Sequence, residues 1–219
     1  MQRIRPVVVV WVAVCLSGVV VAGGGAKKMT EEKAPSETAT LTPQQQAIQA
    51  YNMGIASRDK AWKLEKKMAE STDPPEQGKL GKKVAKAYRS AAASFERAIK
   101  SNPMMYEAHS DLGYCLRKQG DYEASVAAYD RALQIEPRYA EAIEYRAEAY
   151  LALNRLDEAK QAYMELFKGQ SDQAAALLEA MQRWAAENPQ EEAFSSWVTE
   201  RAEIAGQTKS VSELKDADW

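Results

Sequence analysis

The apolar positions of this chain recur on two scales. Over short windows they fall three and four residues apart, which is one stripe of an α-helix. His109, Leu112, Tyr114, Cys115 and Leu116 form one such stripe. Tyr122, Ser125, Val126, Tyr129, Ala132 and Leu133 form a second. Between them, Gln119-Gly120-Asp121 ends one helix and starts the next: glycine accepts a left-handed backbone, and aspartate can accept from the amides that follow. Pro137 lacks the amide that a continuing helix would use. The spacing therefore predicts helix, turn, helix from Tyr106 to Pro137.

On the longer scale the pattern returns at one constant offset: Leu112-Gly113 as Arg146-Ala147, Leu116 as Tyr150, Ser125 as Ala159 and Tyr129 as Tyr163. Upstream, Ala91, Phe95 and Pro103 precede Ser125, Tyr129 and Pro137 by that same offset. A fixed period of this kind signals stacked supersecondary units. Small residues at Gly113 and Ser125 let paired backbones approach. The ring of Tyr129 fills the space where units meet.

These residues resemble the tetratricopeptide repeat, whose pattern runs large residue, Leu-Gly, aromatic, then small residue, aromatic and proline. Here it reads His109, Leu112-Gly113, Leu116, Ser125, Tyr129, Pro137, then Ile143, Arg146-Ala147, Tyr150, Ala159, Tyr163. The resemblance implies an all-α solenoid of antiparallel helix hairpins wound into a right-handed superhelix. It also implies a concave face built from first helices that takes peptides or extended segments. By register, that face carries Tyr51, Ile55 and Arg58 from a first unit, and Glu107, Ser110, Tyr114, Arg117 and Lys118 from a second. The third unit contributes Glu141, Glu144, Glu148 and Leu151. Family members that hold a partner's terminal carboxylate use Lys and Asn at such positions. Here Tyr51 and Ile55 replace the first two and Glu141 stands where a cation is expected, which argues against that clamp. The row Glu141, Glu144, Glu148 beside Arg117 and Lys118 suits a basic segment that seeks aromatic contacts, or else a solvated face with interhelix ion pairs.

Outside the repeats the chain divides as follows. Residues 1–26 read as an export signal: Arg3 and Arg5, then an apolar run from Val7 to Val21, then small residues suited to cleavage. An uncleaved anchor and lipid attachment at Cys15 are the alternatives. The expected location is periplasmic or secreted. Residues 27–41 are polar and aperiodic, a tether. Residues 42–103 form a first hairpin, opened by Thr42 as cap, Pro43 in the first turn and Gln45 reaching back. Its turn is expected from Ser71 to Gly81, with the second helix starting near Leu80. Both helices look overlong, projecting an arm of roughly 20 Å. Units at 104–137 and 138–170 follow, the second closed by Gly169-Gln170-Ser171. Residues 171–206 are read as a closing hairpin, with Ser171 and Asn188 as caps, Ala175, Leu178, Met181 and Ala185 on one stripe, and Gly206 as its end. A flexible tail occupies 207–219.

Charge adds one feature. The whole chain carries 29 Lys and Arg against 31 Asp and Glu, so no global field draws it to nucleic acid. From Arg58 to Arg89, however, ten cations face five acids. That arm fits a solvated surface, or contact with an anionic surface such as lipid headgroups or an acidic partner. Catalytic chemistry has little to draw on. His109 and Cys115 are six apart, about 240° around a helix, and cannot share a ligand. With one histidine and one cysteine after the leader, the usual triads and zinc sites do not assemble. No cofactor or metal is expected. The two function classes left are a scaffold that holds a protein segment, and an assembly element whose basic arm bridges to membrane or to another copy of the chain.

Overall fold

A computed structural model describes the backbone of residues 41–216 and the side chains to residue 207. The leader, most of the tether and the last three residues lie outside the described residues, and so do the expectations placed on them. The described residues form eight helices and no strand: α1 (Pro43–Glu70), α2 (Pro74–Ser101), α3 (Tyr106–Arg117), α4 (Tyr122–Ile135), α5 (Ala140–Ala152), α6 (Leu156–Lys168), α7 (Gln173–Glu187) and α8 (Glu192–Asp216). They pack as successive hairpins, α1 on α2, α3 on α4, α5 on α6 and α7 on α8. Each pair leans on the next through α2–α3, α4–α5 and α5–α7. This is an all-α solenoid.

The repeat is held by one small residue facing one ring. A Cβ built on Gly54 would sit 2.5 Å from the Phe95 ring, and one on Gly113 would sit 2.9 Å from the Tyr129 ring. Phe95, Tyr129 and Tyr163 are all buried, at 0%, 0% and 1% exposure. The hydroxyl of Ser125, also fully buried, donates to the Gly113 carbonyl at 2.8 Å. Phe95 and Tyr129 thus make the same contact in two hairpins, and Tyr163, at the corresponding position of the next, is buried like them.

The first hairpin keeps this contact but not its length. Gly113 and Tyr129 are 16 positions apart, whereas Gly54 and Phe95 are 41 apart. The additional chain lengthens α1 and α2 to 28 residues each. Shared between two helices at about 1.5 Å per residue, it extends the arm by roughly 19 Å. Thr42 and Gln45 form the expected capping box, with Pro43 in the first turn.

Four local expectations are corrected. The arm's turn is only residues 71–73. Asp73 accepts from the Glu76 amide, and Pro74 takes the first helical position, where no amide is needed, so α2 starts well before Leu80. Ser171 accepts from the Gln173 amide, but α7 starts only at Gln173 and leaves Ala175 exposed, with Leu177 fully buried instead. Asn188 donates back to the Trp184 carbonyl, so it closes α7 and does not open α8. Gly206 does not end the last hairpin: α8 continues to Asp216, because an isolated glycine costs a helix only about 1 kcal/mol.

Candidate protein-binding face

Helices α1, α3 and α5 lie side by side, and their neighbouring side chains form a half-buried row. At one end, Arg58 of α1 is 4% exposed and lies 2.5 Å from the Asp111 carboxylate of α3, itself 6% exposed. The hydroxyl of Tyr51 donates to the other oxygen of Asp111 at 2.8 Å. Burial alone would lower the Arg58 pKa; the charges of Asp111 and Asp59 override it, and the net shift is upward. The guanidinium also lies 4.3 Å over the Trp62 ring.

The middle of the row is aromatic. The Trp62 indole donates to the Tyr114 hydroxyl at 2.8 Å, and the two rings meet edge to face at 5.9 Å. Tyr114 also packs against Tyr88 and, across the α3–α5 seam, against Tyr145 at 5.4 Å. Arg117 caps that seam, 5.4 Å and 5.5 Å from the Tyr114 and Tyr145 rings, and is ion-paired with Glu148 of α5. Lys118 pairs with Glu65 of α1 at 2.7 Å, close to the Tyr88 ring. Burial, with Tyr114 and Glu65 nearby, holds the Tyr88 phenol well above its ordinary pKa.

The register therefore brings together most residues expected at the face, in three different roles. Tyr51, Ile55, Glu107 and Glu141 are half-exposed. Arg117, Lys118 and Glu148 are committed to interhelix ion pairs. Ser110, Tyr114 and Glu144 are buried, at 1%, 6% and 9% exposure; they support the face from beneath and offer little to a partner. Leu151 is buried as well, at 4%. Asp111, Trp62, Glu65 and Tyr145 were not expected there. The signal for Asp111 and Tyr145 was present, since they are one repeat period apart and so share one register position. Trp62 and Glu65 lie in the extension of α1, where no register applies.

His109 sits at 8% exposure, with its Nε2 3.0 Å from the Pro103 carbonyl, and Cys115 is fully buried. No group of three or more potential metal ligands exists among the described residues. None of the described helices is long and apolar enough to cross a membrane. Two open clefts, about 510 and 470 Å³, lie elsewhere, along α6 and the start of α8 beside Phe194 and Trp197.

Residues 86–140 match one tetratricopeptide repeat family model, and residues 116–168 match another. Residues 86–168 thus carry tetratricopeptide repeats. The two matches span α2's second half, α3 and α4, then α4, α5 and α6. Solved structures of MamA are among those similar to the chain, at low identity. MamA AMB-1 is 22% identical over 59% of this chain and 78% of that one, with a TM-score of 0.36. Two MamA mutants are 18% and 20% identical, cover 60% of this chain and 77% and 96% of theirs, and give TM-scores of 0.35 and 0.32. None of the curated proteins compared with the chain matches it. Tetratricopeptide repeats are protein-interaction scaffolds, and that general role applies here.

Proposed function

We propose that this chain is a non-catalytic scaffold of the cell envelope that holds an extended segment of a partner protein along α1, α3 and α5. The supporting observation is the half-buried rings of Trp62 and Tyr145, backed by buried Tyr114 and flanked by half-exposed Tyr51, Ile55, Glu107 and Glu141. Rigid rings offer contact area at low entropic cost, and acids at the rim select a segment bearing cations. The envelope location rests on the leader: a basic start, an apolar run, then small residues.

The test is cross-linked capture from the native compartment, comparing wild type with Glu107→Lys/Glu141→Lys and with Ile55→Asp. These side chains are half-exposed, so folding should survive; matching thermal melts would verify it. Loss of the same captured protein in both variants supports the assignment. An unchanged set of captured proteins, with folding intact, rejects it.

A further inference from the structure

The outer side of α2 carries a row of cations that the peptide-binding reading does not use. Lys79, Lys82, Lys83 and Lys86 are exposed, and the row continues in Arg89, Arg97 and Lys100, also exposed. At about 100° per residue all seven fall within an arc of about 120°. That arc lies opposite the stripe of Leu80, Val84, Ala91, Phe95 and Ala98, which is buried against the rest of the fold. Glu96 borders it on one edge, and Glu76, on the other, pairs with Lys67. Among the described residues none of the seven forms an ion pair, unlike Lys67 and Lys118, which do. From Lys79 to Lys100 the row runs straight for roughly 32 Å.

We infer that this outer face of α2 docks the protein electrostatically on an anionic lipid surface. The row has the wrong anatomy for a protein partner, because it holds no aromatic or large apolar side chain that could act as an anchor. The missing aromatics also remove the stacking platforms that single-stranded nucleic acid uses. Lysine predominates, and its ammonium is a point charge suited to a diffuse surface potential, not to bidentate recognition of one phosphate. Only small residues, Ser90 and Ala93, lie between the cations, so the contact is peripheral and adds no insertion. Residues 101–207 carry ten cations and nineteen acids, so α3 to α8 are repelled from the same surface and the orientation is fixed. The leader expected from the sequence would bring the chain to a membrane in the first place.

Other lysines supply an internal control. Lys60 and Lys63 are exposed on α1, outside the row on α2. The full chain is mixed with vesicles of phosphatidylcholine alone and of phosphatidylcholine with phosphatidylglycerol, and the ratio of bound fractions is measured. Taking that ratio removes any insertion by the leader, which needs no anionic lipid. Each lysine near such a surface contributes a factor of about five. Lys82→Glu/Lys86→Glu should therefore lower the ratio by about 25-fold or more. Lys60→Glu/Lys63→Glu, with the same change of net charge, should lower it by less than about threefold, and raising salt severalfold above about 0.1 M should abolish the preference. Equal losses in both variants, or no preference for anionic vesicles, would overturn the inference. Binding to poly-glutamate without binding to anionic vesicles would overturn it in favour of an acidic protein partner.

Discussion

Arg58 and Asp111 join the arm to the body, and removing one of them should loosen both. Their side chains are 4% and 6% exposed and 2.5 Å apart. Replacing Asp111 with asparagine keeps the shape but leaves a buried guanidinium without its main counter-charge. Breaking a buried pair from one side costs about 3–5 kcal/mol. Asp59 remains, 3.4 Å from the other end of the guanidinium, but it is 39% exposed and so partly screened. The expected cost is therefore at the lower end, about 3 kcal/mol. Removing both charges together, as Arg58→Met/Asp111→Leu, should bring stability back to within about 1–2 kcal/mol of wild type, because desolvating the pair offsets much of its attraction.

Urea denaturation followed by far-UV circular dichroism measures wild type, Asp111→Asn and the double variant. Hydrogen exchange adds a local readout, since amides of residues 62–70 follow Arg58 along α1 and should lose protection in Asp111→Asn before those of α5 and α6. A cost below about 1 kcal/mol for Asp111→Asn, or a double variant less stable than the single one, would refute the claim that these groups depend on each other.

Three further outcomes follow from single positions. Gly54→Ala should destabilise by about 1–3 kcal/mol, because its Cβ would lie 2.5 Å from the Phe95 ring, whereas Gly78→Ala, with nothing within 4 Å, should stabilise by up to about 1 kcal/mol; urea melts decide both. Burial depresses the His109 pKa below 6.5, with Arg131 adding to the effect and the Pro103 carbonyl opposing it. The unfolded chain then binds the proton first, so this contribution is intact above pH 6.5 and is lost as pH falls toward the folded pKa; His109→Phe should flatten that part of the stability profile. Burial pushes the Cys115 thiol far above its ordinary pKa, so a thiol reagent should label one fewer cysteine in the native chain than in urea.

The fold was largely legible because its determinants are local and recur. A small residue must face a ring, and both carry their register in the sequence. Turns were legible only where one residue decides them. Gly120 has a φ of +83°, as its place between two stripes suggested. Its equivalent one repeat later is Asn154, at +55°, and at the next turn Gln170, not Gly169, takes the left-handed conformation at +53°. Glycine misled in the other direction at Gly78 and Gly206, which sit inside helices, because neighbouring residues sustain the hydrogen-bond ladder at modest cost. Pro74-Pro75 looked like a loop and proved to be a helix start, since no local rule separates the two uses until the Asp73 cap is seen.

The candidate face was legible in its membership, and in its charge only as two alternatives. Read along the sequence, Arg117, Lys118 and Glu148 suit either a partner's charges or ion pairs between helices. In the fold each faces an opposite charge on a neighbouring first helix, 31 positions away for Arg117 and Glu148 and 53 away for Lys118 and Glu65. No period predicts those distances, because the second spans the lengthened arm. The consequence bears on recognition. A segment lying along the face would have to break two interhelix pairs to use these charges, and would lose about as much as it gained. Selectivity must then come from the groups around them: the edges of Trp62 and Tyr145 and the flanking side chains of Ile55, Glu107 and Glu141. The ion pairs fix the spacing between α1, α3 and α5, and that spacing decides which segment fits. Neutralising Glu148 should therefore weaken partner binding by shifting α5 relative to α3, even for a partner that carries no cation, whereas reversing Glu141 should matter only for a partner that does.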